Sequence, residues 1–134
     1  MDLDALADVA LEDLGTTLNT GAVNILYGAD TGLVGRGQVL VQGSPGGADT
    51  AESDDNFGGT LAASNDFNGD EFSDLAIGAA REDVGTTVNA GAVNILYGST
   101  TGFPPATGAQ FFTQDSAGIA DTAEPGDGFG TALD

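Results

Sequence analysis

Between residues 66 and 74 the chain reads Asp66-Phe67-Asn68-Gly69-Asp70-Glu71-Phe72-Ser73-Asp74, which sets oxygen-bearing side chains at positions 1, 3, 5 and 9: Asp66, Asn68, Asp70 and Asp74. With Gly69 free to make the tight turn and the carbonyl of Phe72 at position 7, these groups form a cage of hard oxygen donors suited to calcium. Magnesium keeps its waters in a stricter octahedron and fits such an all-protein cage less well. The helical form of this loop needs flanking helices and a bidentate Glu at position 12, where the chain has Ile77 in an apolar run. The expected support is therefore a hairpin between two strands. A solvated turn in an acidic chain is the plainer alternative for the same residues.

The elements that carry this loop belong to a chain of 134 residues with 21 Asp plus Glu against two Arg, and with no Lys, Cys, His or Trp. The prior is one small domain's worth of chain. Without Cys or His it makes no disulfide, no thiolate or imidazole metal site, and no Ser-His-Asp relay. A formal charge of -19 repels phosphate backbones and anionic lipid, so neither nucleic acid nor a membrane surface is an expected partner. The same field opposes compaction and calls for counter-charge, supplied by bound cations or by high ambient salt as in a halophilic source. A hydrophobic share of 40% is too high for a disordered acidic tail, and the apolar runs are too short for a membrane span. The start, Met1-Asp2-Leu3-Asp4, has neither the basic residues nor the apolar run of a signal peptide. Among 21 carboxylates no pair stands out as an acid and a base, and no enzymatic activity is expected.

Self-similarity organises the rest. Gly15 to Gly28 (GTTLNTGAVNILYG) returns 70 residues later as Gly85 to Gly98 (GTTVNAGAVNILYG). Asp49-Thr50-Ala51-Glu52 returns as Asp121-Thr122-Ala123-Glu124, and Phe57 to Leu61 as Phe129 to Leu133, now at a spacing of 72. The two extra residues fall between Gly98 and Asp121, where Pro104 and Pro105 predict a loop. Residues 4–14 carry apolar spacing that suits a helix, yet they lie over Asp74 to Val84, whose pattern is a strand running into a turn. The repeat predicts a strand there.

In the better copy four strands are expected, near Gly58 to Ser64, Asp74 to Ala79, Ala90 to Tyr97 and Ala109 to Gln114. Four antiparallel strands in about 70 residues suit one propeller blade. With the strands lettered A to D, residues 1–48 supply B, C and D of a split blade. Residues 49–120 form a complete blade with the candidate calcium loop, and residues 121–134 supply a lone strand A. The expected fold is all-β, with two blades per chain, one complete and one divided between the termini. A propeller closes with about four to eight blades, so either copies associate head to tail, as a trimer or tetramer, or the chain is part of a longer protein.

Phe57-Gly58, the Asp66 to Asp74 loop, Leu75 to Ala80 and Gly91 to Gly98 together resemble the FG-GAP repeat of integrin α-chain propellers and of bacterial surface and secreted proteins. The resemblance implies a β-propeller whose hairpin loops bind Ca2+ through Asp66, Asn68, Asp70 and Asp74, with the Phe72 carbonyl beside them. Two positions depart from the family pattern: Glu71 stands where Gly is usual, and Gly78-Ala79-Ala80 stands where Gly-Ala-Pro is usual. The first unit keeps only Asp4 of the loop set, so one calcium per chain is expected, with a partial acidic site of Asp134, Asp2 and Asp4 as a further candidate at a junction. Phe57 and Phe129 are expected as core anchors between blades. The implied role is a calcium-binding structural or interaction scaffold, extracellular or at the cell surface. The alternatives are an integrin-like adhesion domain with a protein or glycan ligand, and an accessory segment of a secreted enzyme.

Overall fold

The computed structural model describes residues 3–9, 11–44, 49–103 and 109–134, with the backbone alone at 3–9, 34–36, 64 and 65. The strands are β1 (Leu3–Val9), β2 (Ala22–Ala29), β3 (Gly32–Leu40), β4 (Phe57–Asn65), β5 (Asp74–Ala79), β6 (Ala92–Leu96) and β7 (Gln110–Phe112). They form two antiparallel sheets, β1-β2-β3 and β4-β5-β6-β7, and no helix occurs among the described residues. The fold is all-β, as expected, and the segment with helix-like spacing forms β1. The expected loop at Pro104 and Pro105 lies outside the described residues.

Strand character follows the side-chain pattern. In β2, Val23, Ile25 and Tyr27 are buried while Asn24 and Leu26 are half-buried, the period of two that presents one face to a core. β5 is buried along its whole length, which explains why its sequence is a short apolar run and does not alternate. Its neighbouring residues still face opposite ways. Leu75, Ile77 and Ala79 join Val23, Ile25, Tyr27 and Leu40 of the first sheet, with Phe57 and Phe103, in the main core. Ala76 faces a smaller cluster with Ala62 and Val93, against which Phe129 and Leu133 pack. The second sheet thus lies between the first sheet and the C-terminal segment.

The repeat persists in three dimensions. β1, β2 and β3 correspond in sequence to β5, β6 and β7, and β4 has no counterpart paired to β1 among the described residues. The segment before β4 docks on the first sheet through Asp54 N to Leu18 O (2.9 Å), Asn56 N to Asn19 O (3.3 Å) and Phe57 N to Thr20 O (2.9 Å). The segment before Phe129 docks on the second sheet through Gly126 N to Val88 O (3.0 Å), Gly128 N to Asn89 O (3.3 Å) and Phe129 N to Ala90 O (2.8 Å). Beyond that point the copies differ. Phe57 opens a nine-residue strand, whereas Phe129 makes a single parallel bridge to Gly91 and residues 130–134 form no strand. β4 is extended because it pairs with β5; residues 130–134 have no such partner among the described residues.

Close approach at both junctions rests on a glycine. Gly21 (φ 83°) and Gly91 (φ 86°) sit where a Cβ would be driven into the backbone of Phe57 or Phe129. Both also hold a left-handed conformation that only glycine adopts without strain.

Candidate metal centre

The loop connects β4 to β5, and the pairing of Asn65 with Asp74 closes its base. Asp74 is fully buried and accepts from two backbone amides, Phe67 N to Oδ2 (2.7 Å) and Gly98 N to Oδ1 (2.9 Å). It therefore ties the start of the loop to the chain just past β6. Asp66 is the hub of the exposed part. Its Oδ1 accepts from the amides of Gly69 (2.6 Å) and Asp70 (3.0 Å), and its Oδ2 from that of Glu71 (2.9 Å). Asn68 accepts from Asp70 N (3.1 Å) and donates its Nδ2 to Asp70 Oδ2 (3.0 Å), while Asp70 Oδ1 accepts from Phe72 N (2.9 Å).

The backbone can wrap this tightly because Gly69 has φ 78° and Glu71 φ 72°. Glu71 thus occupies a left-handed conformation that costs a residue with a side chain about 1 kcal/mol. The amide of Glu71, against some desolvation, and then those of Gly69, Asp70 and Asn68 hold the Asp66 carboxyl below its ordinary range. Asp66 stays ionised to lower pH than a free carboxyl.

Asp66, Asn68 and Asp70 are brought into direct mutual contact, and Asp74 is reached through the amide of Phe67. The carboxylates of Asp66, Asp70 and Asp74 do not close to within 4.8 Å of one another as a trio, since each is turned onto loop amides. The donor chemistry fits calcium: three carboxylates, one amide oxygen and one backbone carbonyl, with Asp66 and Asp70 exposed. Of the junction candidates, Asp134 is exposed, Asp2 lies outside the described residues, and only the backbone of Asp4 is described.

A second acidic group was not foreseen from the sequence. Oxygens of Glu52, Asp55 and Glu82 lie within 4.8 Å of one another, the one such trio among the described residues. Burial pushes Asp55 up to about 6, opposed by the Glu52 amide and aided by the charges of Glu52, Asp49 and Asp83. Burial likewise holds Glu82 well above the ordinary carboxyl range, aided by hydrogen bonding to Asp49 and opposed by the Gln42 amide. The signal for this group was the recurring Asp-Thr-Ala-Glu motif, together with Glu82 at the repeat position of Glu12.

Antiparallel sheets stacked face to face, one carrying an acidic hairpin loop, define a β-propeller-like module. Residues 57–96 match the family model of the FG-GAP repeat, and the chain carries an FG-GAP repeat over that stretch, which runs from β4 through β6 and holds the whole loop. No curated protein matches the chain. Among the described residues no helix is long and apolar enough to cross a membrane.

Proposed function

We propose that the chain is a calcium-binding FG-GAP propeller module serving as a structural and interaction scaffold, without catalytic activity. The observation that carries this reading is the Asp66 hub, a carboxylate kept ionised by the amides of Gly69, Asp70 and Glu71 in a loop rich in oxygen side chains, within a family-matched repeat. Calcium neutralises the loop carboxylates and orders the connection between β4 and β5, so it adds stability by mass action. An extracellular or cell-surface setting follows from the family and from the abundance of calcium there.

Head-to-tail self-association belongs to the same reading. Residues 126–129 sit on the second sheet as residues 54–57 sit on the first, while among the described residues β1 pairs only with β2. The β1 edge of another copy would turn residues 129–134 into a strand, and three or four copies would supply about six or eight blades. An adhesion role draws support from a cleft at the junction lined by Asp54, Asn56, Arg81, Asn89 and Thr131, polar groups able to meet a protein or glycan.

Thermal unfolding with calcium and with chelator tests the metal role: a raised midpoint in calcium is expected, and an unchanged one counts against it. Sedimentation at tens of micromolar tests association, where a monomer refutes it.

A further inference from the structure

Glu52 and Asp55 lie in the segment entering β4, and Glu82 lies in the turn after β5. Asp55 is 1% exposed and Glu82 2% exposed, whereas Glu52 is at the surface. The backbone holds the three in place: Glu52 N donates to Asp55 Oδ2 (2.6 Å), Arg81 N to Asp55 O (3.3 Å) and Gly91 N to Glu82 O (2.9 Å). Gln42, which follows β3 in the first sheet, is 3% exposed. Its Nε2 donates to Glu82 Oε2 and lies 3.5 Å from Asp49 Oδ2, so its amide abuts the carboxylates. The oxygen of that same amide, Oε1, is buried with no hydrogen-bond partner.

Two costs coincide at one place. Crowded, buried carboxylates repel one another and lack solvation, and a buried amide oxygen without a donor bears its full desolvation cost. No donor among the described residues satisfies that oxygen, and a hard cation answers both costs at once. We propose that Glu52, Asp55 and Glu82, with the Gln42 amide turned to offer its unpartnered oxygen, bind a divalent cation of the calcium class at the junction between the two sheets. This site is separate from the β4–β5 loop. It joins the chain leaving β3, the segment entering β4 and the turn after β5, and so clamps one blade to the next.

Part of the arrangement recurs in sequence, although Asp121, Glu124 and Asp127 are exposed and form no such trio. Gln114, Asp121, Glu124 and Asp127 stand 72 residues after Gln42, Asp49, Glu52 and Asp55. Glu124 N donates to Asp127 Oδ2 (2.9 Å), as Glu52 does to Asp55, and Gln114 Oε1 is likewise buried without a partner.

Calcium titration by calorimetry on the folded full chain tests the proposal, using Asp66→Ala/Asp70→Ala to silence the loop. The loop-silenced chain is expected to keep one calcium site per chain. Adding Glu82→Gln is expected to weaken that site by about tenfold or more, since affinity follows ligand charge. Adding Glu52→Gln, at a surface position where folding is not at stake, is expected to weaken it as well. A loop-silenced chain that is folded by circular dichroism yet takes up no calcium at millimolar concentration overturns the proposal, as does binding indifferent to both Gln substitutions. The loop reading fails separately, if Glu82→Gln alone abolishes all calcium uptake while the loop is intact.

Discussion

The amide of Phe129 donates to the carbonyl of Ala90 at 2.8 Å, in the place where, one repeat earlier, Phe57 donates to Thr20 at 2.9 Å. The junction between units is thus a unit of structure in its own right. It uses the same backbone bonds and the same left-handed glycine on both sides, although one copy leads into a strand and the other does not.

Gly21→Ala and Gly91→Ala should both destabilise, through the left-handed φ alone by about 1 kcal/mol, and further because a methyl group displaces the docked phenylalanine segment. The two should differ in extent. Gly21→Ala disturbs Phe57 in the main core, whereas Gly91→Ala should chiefly free residues 121–134. Urea unfolding with limited proteolysis separates these outcomes.

Phe57→Ala should cost about 3–5 kcal/mol, because this 4%-exposed ring bridges the two sheets. Phe129 is half-buried on the smaller cluster, and Phe129→Ala should cost less than half as much in the isolated chain. Equal losses in urea midpoints would contradict this ranking.

Glu71→Gly should stabilise the chain by up to about 1 kcal/mol, because Gly takes φ 72° without strain, a gain partly offset by the greater entropy Gly gives the unfolded chain. The melting midpoint should rise by about a few degrees. Calcium affinity should rise with it, since the loop no longer resists its own shape. A lower midpoint in chelator would show that the Glu71 side chain contributes more than its backbone costs.

In metal-free solution the stability should fall as pH rises from the ordinary carboxyl range. Asp55, pushed up to about 6, and Glu82, held higher still, bind protons more tightly folded than unfolded. Their contribution is complete below the unfolded carboxyl range, is lost through about 6 as Asp55 ionises, and declines further as Glu82 follows. Asp66 acts oppositely, and its contribution is lost as pH falls below the ordinary range. Midpoints measured against pH should therefore peak on the mildly acidic side, and Glu82→Gln should flatten the alkaline limb.

Much of this was readable from residues alone. The spacing of 70 and then 72 aligns β1, β2 and β3 with β5, β6 and β7, and it overrides the helix-like spacing of residues 4–14. The oxygens of the loop were readable because all of them lie within nine consecutive residues. The second acidic group was not, because Glu82 is thirty residues from Glu52 and its burial depends on two sheets closing over it.

The amino-acid order by itself determined the strands, the repeat and the loop's run of oxygen side chains, since alternation, turn residues and side-chain spacing are properties of neighbouring positions. Only the tertiary structure decided which carboxylates leave water. Asp66 and Asp74 share one loop, yet Asp66 is exposed and Asp74 is sealed beneath the chain past β6. Glu12 and Glu82 are repeat equivalents, yet Glu12 is exposed while Glu82 is enclosed by Gln42, Asp55 and the first sheet's edge. Burial is set by what packs from elsewhere in the chain, and burial is what turns an ordinary carboxylate into a charge that needs a partner.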